Sequence, residues 1–156
     1  MDQFKSKNFP KYANFLNKLA KELTSYYYSK LSKDFKISNK LRGKGYDPVT
    51  TSDKAFEKFI RLKIKKKFPD HQVIGEEFGH KKSRSDYTWI IDPIDGTINF
   101  LHGIPHFAIS IALRSNNEIV SGLIFDPIKN EMFYAEKNNG AFFNNQRIRV
   151  SQKNKI

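Results

Sequence analysis

Two aspartates, Asp92 and Asp95, stand three positions apart in the run TWIIDPIDGTINF at residues 88–100. Carboxylates so placed on a loop supply the oxygen ligands that a hard cation takes. Pro93, between them, has no amide hydrogen to donate, which leaves neighbouring carbonyls free to turn toward a cation. Gly96 lets the backbone come close to a ligand, with no side chain in the way. Thr97 then opens a short helical turn over residues 97–101, whose first amides point back at the loop. Carboxylates beside helix amides can hold a hard cation and a phosphate group together. An Asp-Pro-x-Asp-Gly run also makes an ordinary turn; what sets this one apart is its company. Gly75-Glu76-Glu77 follows the apolar pair Val73-Ile74, and Asp47-Pro48-Val49-Thr50-Thr51-Ser52-Asp53 precedes a helical pattern.

Each acidic element needs something to position it. Trp89, Ile90 and Ile91 predict a buried strand that Pro93 and Gly96 end, so Asp92 falls at its carboxyl end and Asp95 on the loop beyond. Val73-Ile74 predicts a short strand delivering Glu76, and neighbouring glutamates at a strand end face opposite ways. Phe56, Phe59, Ile60 and Ile64 form the apolar stripe of a helix capped by Thr51 or Ser52 and stopped by Phe68-Pro69-Asp70. Asp53 sits in its first turn, where the helix dipole favours a carboxylate regardless of function.

The remaining elements build the scaffold. Asn8 or Ser6 caps an earlier helix of about five turns, with Pro10 in its first turn. Its apolar face is Tyr12, Phe15, Leu16, Leu19, Leu23 and Tyr26, and the Tyr26-Tyr27-Tyr28 cluster reads as packing. A weak extended segment covers residues 35–41, a flexible loop holds Gly43, Lys44 and Gly45, and a polar, basic, mobile loop covers residues 80–86. Strands follow at residues 107–113, 119–125 and 131–136, with a last pair around 141–143 and 147–150. Turns at Asn116-Asn117, Asp126-Pro127 and Asn138-Asn139-Gly140 separate them, as in an antiparallel meander. Helices layered on a mainly antiparallel sheet make an α+β domain.

Composition narrows the function classes. The 156 residues suffice for one domain with a core, and the absence of cysteine excludes disulfides, thiolate metal sites and a cysteine nucleophile. No long apolar run or signal-like N-terminus is present, so the expected location is cytoplasmic, without a membrane partner. The formal charge is +12, and six of the 28 basic residues are arginines; the lysines cluster most densely at Lys63, Lys65, Lys66 and Lys67. A solvated surface, attraction of anionic phosphate substrates and nucleic-acid binding all fit such a charge, although no nucleic-acid motif accompanies it.

Taken together, DPIDGTINF, VIGEE and DPVTTSD resemble, in order and spacing, the inositol monophosphatase family of magnesium-dependent, lithium-sensitive phosphatases. The likeness runs over most of the chain. It implies the first half of that family's layered sandwich, with residues 1–156 as the N-terminal part of such a phosphatase and the family's C-terminal half absent. It further implies Mg2+ as cofactor, a small phosphorylated substrate and a homodimer. By this resemblance Glu76, Asp92 and the Ile94 carbonyl would hold a first metal, and Asp92 would bridge to a second that Asp95 also binds. Two such ions about 3.5–4 Å apart activate water and stabilise a leaving oxygen in many phosphatases. Asp53, Thr97 and Glu76 would be the catalytic groups, with Thr97 orienting water and donating to Asp53. Asp95, Gly96 and Thr97 would hold the phosphate, Glu77 would support, and Arg42 or Lys44 would stand for the family's lysine ahead of Asp47.

The family also has an aspartate in a Trp-Asp-x-Ala-type motif that completes the second metal site. Trp89 is the only tryptophan here and is not in such a motif, so a weakened second site and an open substrate pocket are expected. The natural ester is open among inositol 1-phosphate, suggested by FLHGIPHF, histidinol phosphate, suggested by FPDHQVIGEEFG, and the family's other substrates. A rival of another class is a non-catalytic phosphatase half that binds RNA or protein. Haloacid-dehalogenase phosphatases resemble the run less, because one residue separates their aspartates and here two do.

Overall fold

The computed structural model describes residues 12–31, 37–39, 48–80 and 84–152. The expected caps Ser6 and Asn8, together with Pro10, Arg42, Gly43, Lys44, Gly45 and Asp47, lie outside the described residues, as do residues 81–83 of the basic loop. In chain order the elements are α1 (Ala13–Tyr26), a π-helical turn (Tyr27–Leu31), β1 (Ile37–Asn39), β2 (Pro48–Thr50), α2 (Thr51–Lys67), β3 (Gln72–Gly75) and β4 (Gly79–His80). Then come β5 (Tyr87–Asp95), α3 (Thr97–Leu101), β6 (Ala108–Ser115), β7 (Glu118–Asp126), β8 (Glu131–Glu136), β9 (Gly140–Phe143) and β10 (Gln146–Ile148).

Eight of the strands form one sheet in the order β10-β9-β8-β7-β6-β5-β3-β4, and β1 pairs with β2 in a separate ribbon. All pairings are antiparallel except β3 with β5, which are parallel and matched from Gln72↔Thr88 to Gly75↔Ile91. The expected α+β architecture, helices on a mainly antiparallel sheet, is the observed one. Short turns enforce the meander, and asparagine is what makes them. Asn116-Asn117 and Asn144-Asn145 both have positive φ at both positions, the conformation of the two-residue hairpins whose twist matches the strands they join.

Local differences from the sequence reading have simple causes. The helix α1 has 14 residues, about four turns, before the π-helical turn takes over. Thr50, not Thr51 or Ser52, caps α2, because its hydroxyl accepts from both Ser52 N and Asp53 N at 3.0 and 3.2 Å. The glutamates 76 and 77 lie on a turn just past β3 rather than on the strand, and residues Gly79–His80 return as a strand. Pro93 does not end β5. The strand runs on to Asp95 through a bulge, with Asp92↔Ser110 followed by Asp95↔Ala108. The pairing with β3 stops at Ile91, so Pro93 interrupts no ladder on that side.

Both long helices cover one face of the sheet. Leu16, Leu19 and Leu23 of α1 and Phe56, Ile60 and Ile64 of α2 join Val73, Trp89, Ile91, Ile111, Leu113 and Leu123 in a single core. Trp89 anchors it: its ring meets Tyr12 and Phe15 at 5.9 and 5.6 Å, and its indole N–H is satisfied by His71 Nδ1 at 3.0 Å. Tyr26 stacks on Phe59 at 4.5 Å, so that part of the tyrosine cluster is packing. No described helix is long and apolar enough to cross a membrane.

No described element covers the opposite face, where Ile124 and Phe133 are each 46% exposed around a shallow hollow of about 390 Å³. Neighbours on β7 therefore differ sharply. Leu123→Ala, on the covered face, should cost about 2–5 kcal/mol in urea unfolding, whereas Ile124→Thr should change stability by about 0.5 kcal/mol or less. Equal losses would mean that both faces are covered.

Candidate active site

The parallel β3–β5 pair creates the site, because parallel strands end at the same edge of a sheet. Glu76 follows the last residue of β3, and Asp92 follows the last residue of β5 that pairs with it. The return from α2 to β3 is short, so the amino end of α2 lies at that edge too. There Asp53 is 2% exposed and its two oxygens divide their work. Oδ2 accepts from Thr50 N at 2.8 Å and Thr50 Oγ1 at 2.5 Å, completing the cap. Oδ1 accepts from Thr97 Oγ1 at 3.3 Å. The capping role and the site role therefore coexist in one carboxylate. The Thr97 hydroxyl also lies 3.0 Å from the Ile94 carbonyl, and a single hydroxyl hydrogen serves one acceptor at a time.

Gly96 has φ +96°, and a Cβ there would stand 3.2 Å from the His106 carbonyl oxygen. Glycine alone fits this turn comfortably, and it sets the amides at the start of α3 beside Asp95. A hollow of about 250 Å³, open to solvent, lies alongside and is lined by Asp95, Gly96, His106 and Asp126 among others. Asp126 itself is occupied by its own turn, accepting from Ile128 N and Lys129 N. His102 and His106 are exposed at the rim of the α3 loop.

The electrostatics centre on Asp92. Burial pushes its carboxyl up from 3.8 to about 6, and the negative charges of Glu76 and Asp95 push in the same direction. Asp92 also shares a side-chain hydrogen bond with Glu76. Its Oδ1 is buried and has no hydrogen-bond partner. Such an atom is costly in a fold unless something satisfies it, and a hard cation would do so while relieving the repulsion. The donor set, three carboxylates with the Ile94 carbonyl, fits magnesium by chemistry. Among the described residues no three His, Cys, Asp or Glu side chains yet converge on one coordination point. Glu76 and Asp92 touch, whereas Asp95 acts on Asp92 through its charge.

The sequence-based site is thus partly assembled: Asp53 meets Thr97, Glu76 meets Asp92, and Ile94 and Asp95 end β5 just before Gly96. Glu77 shares the Glu76 turn and is half buried. Two residues escaped the sequence reading. Thr50 was signalled by the Thr-x-x-Asp spacing of a capping box. Glu57 was signalled by a carboxylate in the apolar stripe, between Phe56 and Ile60, and it is fully buried.

Against this geometry, a profile of the inositol monophosphatase family matches residues 10–156. The chain belongs to the inositol monophosphatase family. The Nus factor SuhB of Haemophilus influenzae is 49% identical over 111 residues, 70% of this chain and 42% of the relative. The fructose-1,6-bisphosphatase/inositol-1-monophosphatase of Thermotoga maritima is 49% identical over 106 residues, covering 68% of this chain and 41% of that protein. Among solved structures, the extragenic suppressor protein suhB of Bartonella henselae superposes with a TM-score of 0.78 at 38% identity, over 90% of this chain and 55% of that one. The chain thus spans about half the length of its relatives or less.

The charge cluster makes a pH-dependent prediction for the metal-free protein. An acid whose folded-state pKa exceeds its unfolded value binds its proton more tightly when native, so stability falls as pH rises from about 4 to about 6 and stays low at pH 7. Asp92→Asn should therefore raise the metal-free stability at pH 7 by roughly 1 kcal/mol, after discounting for solvent screening, and by almost nothing at pH 4. Thermal unfolding of both proteins at the two pH values measures this, and an Asp92→Asn Tm at or below that of the wild type at pH 7 would rule out the repulsion.

Proposed function

We propose that this chain is the metal- and phosphate-binding part of a magnesium-dependent phosphomonoesterase acting on inositol 1-phosphate or a similarly small, polar ester. The observation that carries this reading is the buried, unpartnered Asp92 Oδ1 beside the charges of Glu76 and Asp95, with the Thr97–Asp53 hydrogen bond a few residues further along the chain. Family membership and a relative named fructose-1,6-bisphosphatase/inositol-1-monophosphatase support it. Histidinol phosphate remains the alternative ester.

Glu76, Asp92, Asp95 and the Ile94 carbonyl would hold the magnesium, which when bound would neutralise phosphoryl charge and stabilise the leaving oxygen. The protein's own groups do the rest. Thr97 Oγ1, with its hydrogen given to Asp53 Oδ1, presents a lone pair that accepts from the attacking water and sets its direction. Asp53 is held rigidly for this by the two Thr50 bonds, so the hydroxyl inherits a fixed orientation. The Gly96 and Thr97 amides would hold the phosphate, and the open hollow beside Gly96 would leave room for a polar alcohol.

Purified protein given inositol 1-phosphate should release phosphate only with magnesium, should be inhibited by lithium, and should lose activity on Asp95→Asn. Thr97→Ala should lower kcat by about a hundredfold or more. A folded chain that releases no phosphate from inositol 1-phosphate or histidinol phosphate would remove catalysis from this chain.

A second reading, an RNA-binding module, is favoured by one feature. A groove of about 630 Å³ between α1 and α2 is lined by Lys18, Lys63, Lys66 and Lys67 with Phe15 and Phe68, and by Glu22, which pairs with Lys63 at 2.9 Å. The relative named Nus factor SuhB is consistent with it. Fluorescence anisotropy with a labelled single-stranded RNA should then show affinity that falls steeply with salt and drops further in Lys66→Glu/Lys67→Glu. Affinity unchanged by the double substitution would dismiss the groove.

A further inference from the structure

We propose that Glu57 is a positioning residue for Glu76, acting through the backbone of the turn that carries it; the inference rests on the metal-binding reading above. Glu57 lies on the sheet side of α2 and is 0% exposed. A carboxylate with no access to water must be fully hydrogen bonded. Its partners are specific. Oε2 accepts from Glu77 N at 2.6 Å, and Oε1 accepts from Phe78 N at 3.2 Å and from Arg61 Nε at 2.7 Å.

Arg61 extends the grip. Its Nη1 donates to the Val73 carbonyl at 3.2 Å and its Nη2 to the Gly79 carbonyl at 2.5 Å. The Glu57–Arg61 pair thus holds β3 at Val73, the Glu77 and Phe78 amides of the turn and the start of β4. Glu76 lies between Glu77, whose amide Glu57 holds, and Gly75, against which the Glu57 carboxylate packs. Glu57 also accounts for Gly75. A Cβ there would lie 2.0 Å from Glu57 Oε1, so the carboxylate rests against the bare α-carbon. That glycine is required by a close approach from a helix far away in sequence, and not by a positive φ.

An ordinary helix ion pair one turn apart would leave its carboxylate in water and grip nothing else. Glu57 instead trades its solvent for two amides of the turn that presents a ligand to Asp92. It touches no reacting atom. Ligand orientation by such outer groups commonly governs metal affinity about tenfold to a hundredfold.

The decisive experiment combines two readouts on the full chain. Amide hydrogen exchange, recorded without metal, tests the grip: Glu57→Gln should lose about tenfold or more of the protection at Glu77 and Phe78 while α1 and β6 keep theirs. Titration calorimetry with magnesium and with manganese tests the consequence. Glu57→Gln should weaken binding about tenfold to a hundredfold in the wild-type background. In a Glu76→Gln background it should cost almost nothing, because its effect passes through Glu76, whereas in an Asp95→Asn background the loss should persist. Gly75→Ala, which displaces the carboxylate, should reproduce the pattern. Unchanged protection at the turn, or an affinity loss undiminished by Glu76→Gln, would overturn the proposal. Wild-type protein that binds neither ion would instead overturn the metal reading, and the exchange arm alone would then decide whether Glu57 holds the turn.

Discussion

The parallel alignment of β3 with β5 is the constraint on which the site depends. Among the described residues every other strand pair is antiparallel and sends its ends to opposite edges. Only a parallel pair could bring residues 16 positions apart, Glu76 and Asp92, to a common edge through strand ends alone. The same alignment places α2, because its short return into β3 points the amino end of the helix back toward that edge. Asp53 arrives there as a capping residue and finds Thr97. Four segments of the chain meet at one place, and none has to bend far from its ordinary geometry to do so.

This convergence has an electrostatic cost that the fold tolerates. Asp92 is half buried beside two like charges, and its carboxyl is held near 6 in consequence. A protein selected only for stability would not keep that cluster. Two more deeply buried polar groups, by contrast, are compensated: Glu57 by Arg61 and two amides, Trp89 by His71. The contrast between a satisfied buried carboxylate and an unsatisfied one, on neighbouring elements, separates the groups that support the site from those that face a ligand.

The bulge in β5 shows how a local rule bends under tertiary context. Proline normally terminates a strand because it cannot donate to the ladder. Here β3 has already stopped pairing at Ile91, so Pro93 costs nothing on that side, and the irregularity between Asp92 and Asp95 keeps the strand going against β6. The bulge also turns the Ile94 carbonyl toward Thr97. One irregular residue pair thus serves strand continuity and site geometry together.

Much was legible in the sequence because it depends on short-range physics. Strand and helix periods, asparagine turns and the spacing of Asp92, Asp95, Gly96 and Thr97 are properties of a few neighbouring residues, and they placed the α+β class, the meander and the candidate site. The run-level likeness to inositol monophosphatases was legible for the same reason. What the chain could not reveal locally is the direction in which β3 and β5 align, the continuation of β5 past Pro93, and the partner of Glu57. An apolar stripe marks a helix face as buried, but it does not say that a carboxylate in that stripe will meet the amides of a turn 20 residues later. Those outcomes are decided by which surfaces meet when the core closes, since only then do a buried charge and a distant backbone become each other's cheapest partners.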